Sequence, residues 1–314
     1  MHDPSIPQAE FIQRIHCINC GSTELTELSH GLFTEHPLKE FINNDPWGEN
    51  PLPHLEGQSW HFVECQSCHQ RFHQSVLSET WNAVRFSKWM TKAAIEMFEH
   101  TSQQARKESH FLKMTQHVAH VLKVEKLTRN IRGQEDVRIL DFGCGWGEFL
   151  SVCHQFGFQC YGIDSSSERL KGAQGGVNIL KDIVELRHTI PSNAYFHAIT
   201  LFEVLEHLDN PREILQALHH LLAPNGLLIL ETPDCTDISD IRTLDDYRKI
   251  HPLDHINAFT PETLQSIAKR AGFKYIKQPT THVSCDSLRI VKTELKRVLQ
   301  PFLKLTTRFY FVKE

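Results

Sequence analysis

An α/β fold is predicted: an open sheet of mostly parallel strands, preceded by a small cysteine-rich module and a helical segment. Three observations predict it. The stretch VRILDFGCGWGEF (137–149) joins an apolar run to a helix through three alternating glycines. A second apolar run, AYFHAITLFEVLEHLDNP (194–211), ends in acids and a histidine, and Cys17, Cys20, Cys65 and Cys68 form two Cys-x-x-Cys pairs. With 314 residues the chain can hold one full α/β domain and a smaller one, because domains usually run about 100–200 residues.

Composition excludes some functions. There are 33 Lys and Arg against 38 Asp and Glu, a net charge of −5. Generic binding to a phosphate backbone needs a basic face, so no nucleic-acid partner is expected. No apolar run approaches the roughly 18 residues of a membrane helix, and MHDPSIPQAE has no signal-peptide core, so a cytoplasmic protein is expected. The nine cysteines agree: an odd count, with one inside a glycine turn, suits a reducing compartment better than a disulfide framework. Most of the 21 histidines are expected at surface or capping positions.

Near the amino terminus, Cys17-Ile-Asn-Cys20 and Cys65-Gln-Ser-Cys68 can each form a knuckle with two thiolates aimed at one ion. Two knuckles complete a tetrahedral Zn²⁺ site. Redox or incidental cysteines are the competing reading. The 44 residues between Cys20 and Cys65 contain Pro37, Pro46, Pro51 and Pro53 and read as an irregular excursion. His16, His61, His69 and His73 lie close by, but four thiolates already saturate zinc, so these are expected in an outer shell or in solvent. Trp60, Phe62 and Phe72 are spaced as in β-ribbon strands framing the knuckles.

From Ser78 to Leu127 the apolar spacing is helical: Trp81, Val84, Trp89, Ala93 and Met97, then Phe111, Met114, Val118, Val121 and Leu122. A turn at Ser102 to Ser109 divides it into two helices whose stripes read as packing faces. Asn130 to Asp136 is a polar connector. The expected organisation is therefore a module at 1–77, a helical segment at 78–130 and a sheet domain at 131–314.

The sheet domain opens on Val137, Ile139, Leu140 and Phe142, a buried parallel strand with Asp141 near its end. Gly143, Gly145 and Gly147, interleaved with Cys144 and Trp146, permit a tight turn that brings bare N–H groups against a ligand. A helix is expected from about Trp146 to about Phe156, with Gly157 as its left-handed cap. Such turns also serve packing alone. The sequel is more specific: QCYGID (159–164) is a second strand ending in Asp164, about twenty residues after the first glycine, where an acid accepts hydrogen bonds from ribose hydroxyls.

Ser165 and Glu168 then form a capping box for a helix ended by Gly172, Gly175 and Gly176. VNILKDIVE (177–185) supplies a third strand with Asp182 just past its end. Phe196, Ala198, Ile199 and Leu201 form a central strand, with Glu203 to Leu208 at its carboxyl end, the edge where open α/β sheets hold ligands. Asn210, Pro211 and Glu213 cap and start a helix through Leu222. Asn225-Gly226 turns into a fifth strand, Thr260 and Pro261 open a helix stopped by Gly272, and 273–278 and 308–312 give a sixth and a seventh, antiparallel, strand. Ser287 to Leu305 reads as a basic amphipathic helix packed on the domain, with membrane-surface contact as the alternative.

The strand, acid and Gly-x-Gly-x-Gly of 137–147 resemble the first motif of class I S-adenosylmethionine-dependent methyltransferases. Nicotinamide dehydrogenases more often show Gly-x-Gly-x-x-Gly with no acid directly before it, so Asp141 discriminates. Glu203-Val204-Leu205-Glu206-His207-Leu208, followed by Asp209-Asn210-Pro211, resembles the fourth motif of small-molecule methyltransferases. It does not resemble the Asn/Asp-Pro-Pro-Tyr signature of enzymes that methylate exocyclic base nitrogens or glutamine amides. His255 and Phe259-Thr260-Pro261 resemble a region of methyltransferases acting on sugars, quinones and similar metabolites.

The resemblance covers most of 137–314 and implies a Rossmann-like seven-stranded sheet with S-adenosyl-L-methionine as cofactor. It places Asp141 and the turn of Gly143, Cys144, Gly145 and Gly147 near the methionine and ribose, Asp164 at the ribose, Asp182 near adenine and Glu203 near the sulfonium. Segments before the first strand often form a lid in such enzymes, an alternative role for 78–127. Paired Cys-x-x-Cys knuckles joined to this domain look like zinc-containing methyltransferases of nucleotide-linked sugars and polysaccharide precursors. The expected function is thus methyl transfer to an O or C atom of a small-molecule acceptor, with a structural Zn²⁺.

Histidine suits proton removal because its unperturbed pKa lies near neutrality. His255, oriented by Asp254, is the expected base, with His207 and His251 as rivals and simple capping roles for all three as the alternative. Two other functions stay open: a zinc-ribbon interaction protein that binds the cofactor without turnover, and a nicotinamide-dependent oxidoreductase or epimerase.

Overall fold

The structure, a computed structural model, describes residues 6–45, 47–91, 103–133, 135–166, 169–170, 177–191, 195–279, 291, 295 and 306–314. By their contacts, residues group into two compact units. One comprises Met1–Arg106, Glu206–Asp209 and Asp234–Thr263; the other comprises Lys107–Leu205, Asn210–Pro233 and Leu264–Glu314. Both draw on separated stretches of the chain.

In the first unit β1 (Phe11–Gln13) pairs antiparallel with β5 (Ser75–Leu77). A second, antiparallel sheet contains β2 (Leu25–Leu32), β3 (Ser59–Cys65), β4 (Arg71–His73) and β11 (Asn257–Ala258), in the order β11-β4-β3-β2. These are the strands expected around the second cysteine pair, with Cys65 ending β3. The stretch between the pairs is more ordered than its prolines suggest. It holds β2, a helix Leu38–Asn44 and a 3-10 turn Leu52–Leu55. Pro37 and Pro51 stand directly before these turns, where a missing N–H breaks no intrahelical bond.

Leu38, Ile42, Leu52 and Leu55 share one core with Phe33, Trp60, Phe62 and Trp89. Ile238, Ile241, Tyr247, Ile250 and Leu253 complete it, so the stretch after the fifth sheet-domain strand contributes both a core face and the edge strand β11. Thr243 and Asp246 form a reciprocal capping box on the helix Leu244–Lys249 there. The helix Glu79–Val84 continues into a π-turn, Arg85–Trp89.

The second unit carries β6 (Arg138–Phe142), β7 (Gln159–Ile163), β8 (Asn178–Leu180), β9 (Phe196–Phe202), β10 (Leu222–Pro233), β12 (Phe273–Ile276) and β13 (Thr306–Lys313) in one sheet, ordered β12-β13-β10-β9-β6-β7-β8. The pairs β10/β9, β9/β6, β6/β7 and β7/β8 are parallel, and β13 lies antiparallel between β10 and β12. This is the Rossmann-like seven-stranded arrangement expected. Strand β9 is apolar throughout its centre because both faces are covered: Phe196, Ala198, Ile199 and Leu201 are all fully buried.

Four local expectations change. The helix Gln103–Thr128 runs through Ser109 without a turn, and the rest of the expected break lies outside the described residues; Val121 and Val124 bury its face in the sheet core, as a packing stripe does. The third strand stops at Leu180 because Asp182 caps a helix, Ile183–Thr189, by accepting from the Glu185 N–H at 2.8 Å. The helix Pro211–Leu221 starts without a side-chain cap from Asn210, although Thr260 does cap Pro261–Arg270 through the Thr263 N–H at 3.3 Å. The helix after the glycine turn begins at Glu148 rather than Trp146, since Gly147 sits at φ 76° in the left-handed region.

The capping role of Glu168, the glycines 172, 175 and 176, and most of the amphipathic segment 287–305 lie outside the described residues. No described helix is long and apolar enough to cross a membrane.

Candidate functional site

Four of the five parallel strands of the second unit, β6 to β9, carry an acid at or just past their carboxyl ends. Asp141 lies within the end of β6, Asp164 follows β7, Asp182 follows β8 by two residues and Glu203 follows β9. The glycine turn lies between Asp141 and the helix Glu148–Gln155, whose N-terminal N–H groups face this edge in such a topology. Gly143, Gly145 and Gly147 have φ values of 76°, 57° and 76°. Gly143 and Cys144 donate to the Ile163 carbonyl at 2.8 and 3.1 Å, tying the turn to β7.

Asp164 is turned into this turn. Its Oδ2 accepts from the Gly145 N–H at 3.0 Å and pairs with Arg169 Nη1 at 3.0 Å, and its Oδ1 accepts from the Ser166 N–H at 2.9 Å. The carboxylate is buried. Around the glycines, space is uneven: a β carbon on Gly143 would lie 2.4 Å from Val204 Cγ2, whereas one on Gly145 would meet no atom within 4 Å. The turn is therefore packed shut on one side and open on the other. Asp141 is also buried and accepts from Thr200 Oγ1 at 2.6 Å; burial pushes its pKa up to about 7 despite that hydrogen bond. Glu203 has the left-handed φ of 54°, and its N–H donates to the Glu231 carbonyl at 2.9 Å. Buried acids and an open glycine fit the ribose and methionyl portions of an adenosyl cofactor.

Residues 96–278 match the family described as "Methyltransferase domain". The chain belongs to that family. The chain is 32% identical over 155 residues to the ubiquinone biosynthesis O-methyltransferase of Psychrobacter arcticus, spanning 43% of this chain and 58% of that protein. It is 27% identical over 181 residues to that of Colwellia psychrerythraea, spanning 54% and 72%. The chain thus spans little more than half the length of the first of these curated relatives. A solved SAM-dependent methyltransferase from Archaeoglobus fulgidus aligns with 65% of this chain and 99% of its own, at 21% identity and a TM-score of 0.41. Both of these relatives are ubiquinone biosynthesis O-methyltransferases, whereas the cysteine pairs suggest nucleotide-linked sugars.

In the first unit the four expected thiols meet. Cys17 Sγ lies 3.5 Å from Cys68 Sγ, Cys20 Sγ lies 3.5 Å from Cys65 Sγ, and all four fall within 4.8 Å of one another. Metal–sulfur bonds of about 2.3 Å in a tetrahedron give edges of roughly 3.8 Å, so the set suits one Zn²⁺ without backbone movement. The Asn19 and Cys20 N–H groups point at Cys17 Sγ from 3.4 and 3.5 Å. The neighbouring histidines are engaged elsewhere: His61 contacts Glu27 at 2.6 Å and His69 contacts Glu64 at 3.3 Å. His73 departs from expectation, being fully buried in the core, where desolvation holds its pKa well below neutral.

The same unit gathers His207, Asp254 and His255. Asp254 Oδ1 lies 3.0 Å from His207 Nδ1 and 3.2 Å from Arg85 Nη1. His207 Nδ1 is also 3.1 Å from the Asp254 carbonyl. Asp254 does not orient His255, whose Nε2 is 3.8 Å away; the Lys249 carbonyl does, 3.2 Å from His255 Nδ1. The two imidazoles meet edge to face, 4.8 Å apart. Burial pushes the Asp254 carboxyl up, but His207 and Arg85 outweigh it and hold the pKa well below the usual range. Burial also lowers His255, to about 4, against the pull of Asp254. His251 stands apart: it is buried, accepts from the Leu253 N–H at 3.1 Å and packs against Phe41 and Trp47.

Sequence reasoning missed Thr200, Arg169, Glu206 and Arg85 as parts of these clusters. Two of them left a signal: Arg85 as a charge inside the apolar helical stripe of Trp81, Val84 and Trp89, and Glu206 as a member of the run Glu203 to Leu208.

Proposed function

We propose that this methyltransferase takes its methyl group from S-adenosyl-L-methionine and delivers it to an oxygen of a small hydroxylated acceptor. The observation that carries this reading is the Asp164 carboxylate, held against the Gly145 N–H at the carboxyl edge of the sheet beside an open glycine. Asp164 would hold the ribose, the Gly143–Gly147 backbone and Asp141 the methionyl and ribose region, Glu203 the side nearest the sulfonium, and Asp182 the adenine edge through the oxygen not committed to its helix. Bound there, the cofactor supplies a methyl carbon already activated on a positively charged sulfur. The chain must align the acceptor and dispose of its proton.

For that proton we assign the cluster of His207, Asp254 and His255. A carbonyl only accepts, so the Lys249 oxygen fixes hydrogen on His255 Nδ1 and leaves the Nε2 lone pair to receive a proton. Similarity to ubiquinone biosynthesis O-methyltransferases favours a hydroxyl of a quinone precursor over a nucleotide-linked sugar as acceptor. Cys17, Cys20, Cys65 and Cys68 are assigned to a closed, structural Zn²⁺ that fixes the ends of β3 and its neighbours.

Isothermal titration of the full chain with S-adenosylhomocysteine tests the reading. Binding is expected, and Asp164→Ala should weaken it about ten- to a hundredfold, because hydrogen bonds to a charged group are worth roughly 1.5–3 kcal/mol. Absence of binding by the wild-type chain removes the proposal. A labelled-methyl transfer screen over phenolic, enolic and sugar acceptors then identifies the substrate class.

A further inference from the structure

We infer that Glu206, His207 and His255 form a second metal site, one for a divalent cation bound by nitrogen and oxygen. One ligand atom from each of the three lies within 4.8 Å of the others. His207 Nε2 is 4.0 Å from Glu206 Oε1, so closure onto one ion requires movements of about an ångström, given metal–ligand bonds near 2.0–2.2 Å.

What distinguishes this cluster from a chance meeting of polar groups is its surroundings. A ligating imidazole normally donates its other N–H to a carboxylate or carbonyl, which fixes the tautomer and aims the free lone pair. Both histidines do so: His207 Nδ1 faces Asp254 Oδ1 and the Asp254 carbonyl, and His255 Nδ1 faces the Lys249 carbonyl. Each Nε2 is left to the cluster. Asp254 is in turn held by Arg85, which donates to it and to the Leu253 carbonyl.

Exposure is graded as in an open site. The Glu206 side chain is 1% exposed while those of His207 and His255 are 26% and 22% exposed, so solvent or an acceptor reaches one side only. Two imidazoles and one carboxylate suit Mn²⁺, Fe²⁺, Co²⁺ or Zn²⁺, whereas the four-thiolate cluster suits Zn²⁺ and offers no oxygen.

The inference deepens the methyl-transfer reading and rests on it for its chemical consequence. An acceptor hydroxyl bound to the cation loses its proton more readily. Its O–H bond breaks with the electron pair left on oxygen and the proton passing to water; with the cation bound, this replaces the proton-accepting role assigned to His255 Nε2, and the same cluster disposes of the proton through the metal. A cation site also exists independently of any turnover.

Mn²⁺ alone is the probe, because it avoids thiolates. Titration of the full chain, followed by electron paramagnetic resonance, should show one Mn²⁺ per chain, and pulsed spectra should show coupling to imidazole nitrogen. Glu206→Gln and His255→Ala should each weaken Mn²⁺ at least tenfold with the melting temperature and S-adenosylhomocysteine affinity preserved. No Mn²⁺ binding, or binding without imidazole coupling in the wild-type chain, overturns the inference, and the spectral test needs no variant to fold. Mn²⁺ binding without S-adenosylhomocysteine binding would retire the methyl-transfer reading and leave the metal site standing; the reverse result would do the opposite.

Discussion

Thr200 on β9 donates its hydroxyl hydrogen to Asp141 Oδ1 at 2.6 Å, directly across the strand pair from the acid it serves. That single bond faces a fully desolvated carboxyl whose pKa is about 7 in the folded chain against 3.8 ordinarily. Between those values the folded state holds a proton that the unfolded chain has released, so this group's contribution to stability declines as pH rises from about 4 to 7 and then levels off. Asp141→Asn should remove that part of the slope in thermal melts of the ligand-free chain. A cationic ligand beside Asp141 favours the ionised form, so titration near pH 7 should release on the order of half a proton per S-adenosyl-L-methionine bound. Equal binding enthalpies in phosphate and Tris buffers at pH 7 would contradict this.

Gly143 and Gly145 both require the left-handed region, yet they should fail differently when replaced. Gly143→Ala drives a methyl group to 2.4 Å from Val204 and should cost about 2 kcal/mol or more in urea unfolding. Gly145→Ala meets open space and should cost about 1 kcal/mol, the backbone term alone. Its cofactor affinity should nonetheless fall at least tenfold, since the methyl group stands where the ligand does. Wild-type affinity in Gly145→Ala would move the cofactor away from the turn.

Cys20→Ser and Cys68→Ser should each reduce bound zinc, measured by mass spectrometry of the metal, by one ion per chain. Trp60 lies in the strand that Cys65 ends and is buried, so loss of the ion should also redden and change its fluorescence. Full zinc content in both variants would transfer the ion to other residues.

Arg85 is 3% exposed and holds Asp254 at 3.2 Å. Arg85→Met keeps the stem and removes the charge, leaving Asp254 without its cation beside His207. A loss of about 3 kcal/mol in unfolding free energy is expected. Adding Asp254→Asn should recover part of it, and a double variant no better than Arg85→Met would show that the pair is not coupled.

Much of the sheet was legible because its signals are local. Strand β9 declares itself by an apolar run, β13 by FYFV, and the glycine turn by three residues for which φ near 60–76° costs little. The knuckles were legible from spacing alone. The ordered stretch between them was not, because Pro37 and Pro51 read as breaks when they in fact precede helical turns. Asp182 was placed after its strand, but its commitment to a helix cap depended on Ile183–Thr189 folding as helix rather than strand.

By itself the sequence determined the α/β sheet, the acids at its carboxyl edge and the four thiols, since each follows from neighbours a few residues apart. Only tertiary structure decided the partners: Thr200 for Asp141 across 59 residues, Asp254 for His207 across 47 and for Arg85 across 169. A residue's periodicity tells which face it occupies, but which distant group arrives there is set by how strands register and by which apolar surfaces bury together, and that is a property of the whole packed chain.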